Sequence, residues 1–241
     1  MIPKIIHYCW FSGEKKPRLV RRCIRSWKKV LPDYEIRCWD ANSFDFDSIP
    51  YVKQAYERKK WAFVADYVRL YALYTEGGIY LDSDVEVYKS FDEFLKYSFF
   101  TGTDINDKKN RFAIEPAIMG AEKGNSYLKE CLDCYKKIQF TKADGSIDLQ
   151  VMPYIVSPLL EKYGYKPIDE TQYMAHNMVV FSSSYFANRN AENYDNIYAR
   201  HWNANMWTPV DHRGKIFHFF YKHDLMFIYL FIERIFIKFR K

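Results

Sequence analysis

The sequence predicts an α/β fold, and three observations carry that reading. Lys4–Trp10 (KIIHYCW) is β-rich, Pro17–Val30 has helical spacing, and Tyr34–Trp39 alternates, so the chain opens strand, helix, strand. Next, Trp61–Tyr74 is apolar on almost every side, the mark of a buried helix, and a glycine pair leads from it into the short β run Ile79-Tyr80-Leu81. Last, 241 residues at 49% hydrophobic and 19% aromatic are enough to build one domain with a sizeable core. Such a composition excludes a disordered chain.

The first strand ends at Trp10 and a loop, Phe11-Ser12-Gly13, and open α/β sheets bind ligands beyond the carboxyl ends of their strands. That position aims Trp10 at a nucleotide, or else makes it a core ring at a strand end. In the following helix Val20, Ile24 (or Cys23) and Trp27 form an apolar stripe behind proline in the first turn. Its other faces carry Arg18, Arg21, Arg22, Arg25, Lys28 and Lys29, a solvated face or a patch for anionic lipid. A polar connector with Asp40, Asn42, Asp45 and Asp47 precedes a short helix around Tyr51–Arg58.

Beyond the apolar helix, Ser90-Phe91-Asp92-Glu93 reads as a capping box opening a short helix. Tyr97–Thr103 reads as a strand, and Asp104–Arg111 as a polar loop suited to a flap. Ala113–Gly120 is another strand, although Pro116 argues against a regular central one. Asn125 and Ser126 are N-cap candidates for a helix to about Ile138, Gln139–Leu149 is a loop, and Met152–Lys162 is helical up to Gly164. Val179–Phe181 is a strand and Ser182–Tyr194 is loop-like. The tail, Leu225–Lys241, is aromatic and basic, and Glu233-Arg234 interrupts it well short of a membrane span. It suits a helix in the membrane interface or one packed on the chain's own core.

The formal charge of +6 is mild, and with no basic arm or nucleic-acid motif it excludes nucleic acid as a partner. It fits an anionic substrate or an anionic membrane surface instead. Five cysteines, an odd number, do not make a disulfide framework. Cys9 and Cys38 fall in strands and Cys23 in a helix; Cys131 and Cys134 have no second pair to complete a zinc site. Buried reduced thiols are expected. Met1-Ile2-Pro3-Lys4 runs straight into a strand, which predicts no signal peptide and a reducing cytoplasm.

The chemistry concentrates between Trp61 and Glu86. Asp66 and Arg69 lie three apart, on one face of a buried helix, where both are costly unless paired or in contact with a polar ligand. Gly77 offers the left-handed residue that ends the helix. Asp82 and Asp84 follow the strand, and in an extended chain both point to one side. Two hard oxygen ligands suit Mg²⁺ or Mn²⁺ holding a substrate diphosphate.

The full spacing of Asp66, Arg69, Gly77, Gly78, Tyr80, Asp82 and Asp84 resembles the Asp-X-Asp region of glycosyltransferase family thirty-two, the Och1-like and capsular-polysaccharide group. It also resembles the glucosylating domain of the large clostridial toxins. The opening IPKIIHYCWFSG is similar to that of family thirty-two, and HWNANMW (residues 201–207) to its C-terminal His-rich motif ending in Ser-Trp. The resemblance implies a GT-A-like, Rossmann-like nucleotide-sugar transferase domain over residues 1–215, with a helical tail over 216–241. It implies that Asp84 and Asp82 hold the metal and are catalytic, with His201 as a further ligand or a contact to the leaving phosphate. Trp10 would stack on the base, with Tyr8, Asp66, Arg69, Asp82 and Trp207 completing the donor site. Met206 stands where a serine is usual, so one diphosphate hydrogen bond is not expected. Glu115 is a candidate for the polar group that a retaining transferase needs beneath the anomeric carbon.

The implied reaction is metal-dependent, retaining transfer of a sugar from a nucleotide diphosphate to a hydroxyl, UDP-sugars being favoured over GDP-sugars. The acceptor would be a glycan or lipid-linked glycan in polysaccharide or lipopolysaccharide synthesis. Two rivals stand beside this: a toxin-like transferase that glycosylates a protein, and a non-catalytic nucleotide-sugar or glycan-binding module. The expected place is the cytoplasm, with peripheral contact at the inner face of an anionic plasma membrane.

Overall fold

The computed structural model describes residues 1–106, 111–187 and 197–203, together with 219, 220, 225 and 228. Its opening unit is β1 (Ile5–Cys9), α1 (Arg18–Val30) and β2 (Glu35–Trp39), the two strands pairing in parallel with Cys9 opposite Trp39. On α1 the buried residues are Leu19, Val20, Cys23 and Trp27, a single stripe at helical spacing. Proline opens α2 (Pro50–Glu57), where its missing N–H would have no helical partner anyway.

α3 (Trp61–Glu76) buries ten of its sixteen residues and ends at Gly77, whose φ of 73° is a left-handed value. A Cβ there would come within 2.8 Å of the Lys123 amide nitrogen, so both backbone conformation and space demand glycine. The chain then enters β3 (Gly78–Leu81), parallel to β1, and departs as β4 (Val85–Val87).

Two long strands follow, β5 (Phe99–Asn106) and β6 (Arg111–Ala121), then α4 (Ser126–Tyr135), α5 (Met152–Leu160), β7 (Gln172–Met174), β8 (Met178–Phe181), β9 (Phe186–Ala187) and β10 (Ala199–His201). Among the described residues one sheet has seven strands in the order β2-β1-β3-β6-β5-β8-β7, and another has three, β4-β10-β9. β6 runs antiparallel to both neighbours, whereas β5 and β8 are parallel. The carboxyl ends of β1, β2, β3, β5 and β8 therefore share one edge.

Strand alternation divides the interior in two. Tyr80, Phe99, Met119 and Val180 face α2, α3, α4 and α5. Ile79, Leu81, Phe100, Ile118, Val179 and Phe181 face α1 and the small sheet. All five cysteines are free thiols. No helix among the described residues is long and apolar enough to cross a membrane. The expected tail and its boundary at residue 216 fall almost wholly outside them.

Four local expectations change. Pro116 does lie in a central strand, because β6 bulges there: Met119 sits opposite Thr101 but Glu115 opposite Gly102, leaving Pro116, Ala117 and Ile118 without partners in β5. A residue with no N–H is tolerated where the ladder is interrupted. Asp104–Asn106 and Arg111 belong to the β5–β6 hairpin rather than to a loop, since cross-strand pairing continues to Asn106 and Arg111; the remainder of the expected flap lies outside the described residues. Ser90 accepts from the Asp92 amide, but Glu93 turns away to accept from the Tyr198 hydroxyl, so only one 3-10 turn forms (Asp92–Phe94) and no capping box. Phe186–Ala187, expected as loop, is held as a strand by β10.

The bulge is filled by the buried Thr101. Its Oγ lies 2.9 Å from both the Glu115 and the Ile118 carbonyl oxygens and shares one proton between them. Thr101→Val keeps the shape and leaves both carbonyls dry. We expect a loss of about 1–3 kcal/mol, read as a lower urea midpoint with an unchanged slope; an unchanged midpoint would show that the hydroxyl is dispensable.

Candidate active site

At the end of β3 the chain turns back on itself. The Val85 amide donates to the Asp82 carbonyl over 2.9 Å, so Asp82-Ser83-Asp84-Val85 is a tight turn. The two carboxylates are thus gathered by a turn and not by strand pleating, which corrects the expected geometry while keeping both on one side. Asp82 is fixed at its own amide, which donates to the Ala117 carbonyl over 2.9 Å, and at its side chain, where the Tyr80 hydroxyl donates to Oδ1 over 2.8 Å.

Behind the turn lies Arg69. Its Nε donates to the Ala65 carbonyl and its Nη1 to the Pro116 carbonyl at 2.8 Å. Its Nη2 is 3.1 Å from Asp66 and 3.3 Å from Asp82, and the guanidinium lies over the Tyr80 ring. Nearly the whole planar fork is used inside the protein. Asp66 is the partner held less firmly. Burial raises its carboxyl, Arg69 pulls it down, Asp82 pushes it up again, and the result is a value of about 7.

His201 arrives from far along the chain on β10. Antiparallel pairing with β4 sets His201 opposite Val85 and Arg200 opposite Glu86. A buried polar cluster fixes that register: Glu86 accepts from Arg22 Nε at 2.9 Å, from the Tyr88 hydroxyl at 3.0 Å and from the Trp202 indole at 3.2 Å. The Trp202 amide donates to the Asp84 carbonyl, and Arg200 lies over the Trp202 ring at 3.7 Å. His201 Nε2 then stands 3.5 Å from Asp84 and 3.9 Å from Asp82, while Nδ1 stands 3.3 Å from Glu115. Burial alone would lower the imidazole, but Glu115 and Asp84 outweigh it and hold the ring well above its usual value.

One ligand atom each from Asp82, Asp84 and His201 lies within 4.8 Å of the others, the span of a single cation's ligand shell. These residues fit a divalent ion on two grounds. Three carboxylates around one imidazole carry excess negative charge, and the donor set of two oxygens and one nitrogen suits Mn²⁺ and admits Mg²⁺.

The other expected donor residues are placed as follows. Trp10 follows β1 at the ligand edge, half-buried, its indole donating to the Glu14 carbonyl and its ring 5.3 Å from the Lys16 ammonium. Tyr8 is buried and packs edge-on against Trp27. Trp207 and Met206 lie outside the described residues. Sequence reasoning did not find Glu86 or Trp202 as supports of the site. The alternation of Asp84 and Glu86 was visible, but their partner strand lies far away in sequence.

This α/β sheet with a carboxylate turn at its ligand edge is the GT-A fold of glycosyltransferases. Residues 1–235 match the family described as capsular polysaccharide synthesis protein, and the chain belongs to that family. The solved PaToxG glycosyltransferase superposes with a TM-score of 0.50 at 18% identity, covering 67% of this chain and 69% of that one. A glycosyltransferase involved in glycosylation of the major capsid of PBCV-1 also gives 0.50, at 12% identity, covering 89% and 98%. In sequence, inositol phosphoceramide mannosyltransferase 3 of Schizosaccharomyces pombe is 32% identical over 134 residues, 53% of this chain and 35% of that protein. The chain spans less than half the length of the curated relatives it matches.

The raised Asp66 carboxyl has a testable sign. The folded chain binds this proton more tightly than the unfolded chain, whose ordinary value is 3.8. The stability it contributes is complete below about pH 4, declines as pH climbs toward 7, and is absent above. Asp66→Asn, neutral at every pH, should therefore gain on the wild type across that window. Urea denaturation in chelator at several pH values checks this, and a difference independent of pH would refute it.

Proposed function

We propose that this chain is a metal-dependent, retaining glycosyltransferase, moving a sugar from a nucleotide diphosphate to a hydroxyl of a glycan or lipid-linked glycan. The observation that carries the reading is the convergence of Asp82, Asp84 and His201 at the carboxyl end of β3, beside the Asp66–Arg69 pair. UDP-sugars are the favoured donors. The mannosyltransferase relative keeps mannose among the sugars to be screened.

In this reading Asp82, Asp84 and His201 would hold Mn²⁺ or Mg²⁺, which would supply a Lewis acid for the charge on the leaving diphosphate. The protein's part is orientation. Asp66 has a second carboxylate oxygen beyond its Arg69 contact, suited to accept from a sugar hydroxyl. Arg69 holds Asp66 and Asp82 at a fixed separation, so donor sugar and diphosphate are presented in one geometry. Trp10 offers a ring for the base at the end of β1. Arg18, Arg25, Lys28 and Lys29 on the exposed face of α1 suit an anionic membrane surface, which would bring a lipid-linked acceptor to a cytoplasmic enzyme. Residues 1–215 would then be the catalytic domain, with 216–241 a tail at that interface.

A panel of UDP- and GDP-sugars assayed for hydrolysis with and without Mn²⁺ tests the reading. One donor should be turned over with the metal and chelator should stop it; no turnover of any sugar would favour a binding module. Asp84→Asn should keep the fold and lower turnover on the order of a thousandfold, about 4 kcal/mol of barrier, since an amide is a poorer ligand for a hard cation. Near wild-type turnover with unchanged metal dependence would sink the metal site. Trp10→Ala should weaken nucleoside diphosphate binding by about 1–3 kcal/mol, as calorimetry would show. Unchanged affinity in a folded variant would return the ring to the core.

A further inference from the structure

Glu115 is a buried carboxylate that the proposed chemistry leaves unused. It sits on β6 immediately before the bulge. Ala117 turns its carbonyl to the Asp82 amide on the β3 side, and its N–H donates to Glu115 Oε1 over 3.1 Å. That bond pins the carboxylate two residues back. The pinned Oε1 lies 3.3 Å from His201 Nδ1, a buried nitrogen that makes no aligned hydrogen bond among the described residues and has this carboxylate as its ion-pair neighbour, while Nε2 on the far side of the ring faces Asp84 and Asp82. A carboxylate on one ring nitrogen and ligand carboxylates on the other is the arrangement by which proteins orient a metal-binding imidazole.

We propose that Glu115 is a positioning residue for the metal centre, holding His201 by Nδ1–H so that Nε2 presents its lone pair beside Asp82 and Asp84. The inference rests on the metal reading of that site. It gives Ala117 two roles in the site, its carbonyl accepting from the Asp82 amide and its N–H anchoring Glu115. It also takes Glu115 away from a place beneath the anomeric carbon, because its Oε1 is already turned to the imidazole.

The test is calorimetric titration with Mn²⁺ alone, without nucleotide, on wild type, Glu115→Ala, Glu115→Gln, His201→Ala and the double variant Glu115→Ala/His201→Ala. Glu115→Ala should weaken Mn²⁺ binding about 10–100-fold. Glu115→Gln, whose amide oxygen still accepts from Nδ1–H, should recover most of that loss. The double variant should bind no more weakly than His201→Ala, because Glu115 acts only through the imidazole. Wild-type affinity in Glu115→Ala, or the same loss repeated in the His201→Ala background, would overturn the proposal. Should Glu115→Ala not fold, Glu115→Met, which fills the space without an acceptor, takes its place in the cycle. Failure of the wild type to bind Mn²⁺ would remove the metal reading and this inference with it; Mn²⁺ binding indifferent to Glu115 would remove this inference alone.

Discussion

The buried guanidinium of Arg69 is the constraint on which the site depends. It ties three separate pieces of chain together: its own helix through Ala65 and Asp66, the bulge of β6 through Pro116, and the carboxylate turn through Asp82. A charge this far from water persists only if its partners repay the desolvation. Its surroundings show that balance. Two carboxylates, two carbonyls and the face of Tyr80 surround it, and removing one member of such a buried set costs about 3–5 kcal/mol by leaving another uncompensated. Asp66, held at one oxygen only, is where the balance is least complete, and its raised carboxyl is the sign of that.

A second device brings the distant part of the site into line. The strands of the three-stranded sheet are only two or three residues long, but Glu86 gathers Arg22 from α1, Tyr88 from the end of β4 and Trp202 from the end of β10. An acid hydrogen-bonded on both oxygens is well satisfied inside a protein, and here it sets the register of two short strands that backbone bonds alone would hold weakly. Registry shifted by one residue would turn His201 away from the aspartates and Trp202 toward them.

Much of this was legible in the sequence because the signals were local. Periodicity placed α1 and α3, the glycine pair marked the end of α3, and the order of Asp66, Arg69, Asp82 and Asp84 pointed to one edge of a sheet. What the sequence hid depends on distant partners. Pro116 looked unfit for a central strand because the bulge that shelters it is created by β5. Ser90 and Glu93 had the pattern of a cap, but Tyr198 takes the glutamate. Glu115 could be seen as a carboxylate near the chemistry; that it faces His201 requires β6 and β10 to be placed first.

The pairing of β10 with β4 is also the longest closure in the site. Val85 and His201 are 116 residues apart (201 − 85), so closing that contact carries a chain-entropy cost on the order of 4 kcal/mol. The aspartates, Tyr80 and Arg69 lie within residues 66–84 and close over short loops, so little chain entropy is spent on bringing them together. The larger cost of bringing in His201 falls on two strands of three residues each, which is why their few backbone bonds are backed by the polar cluster around Glu86.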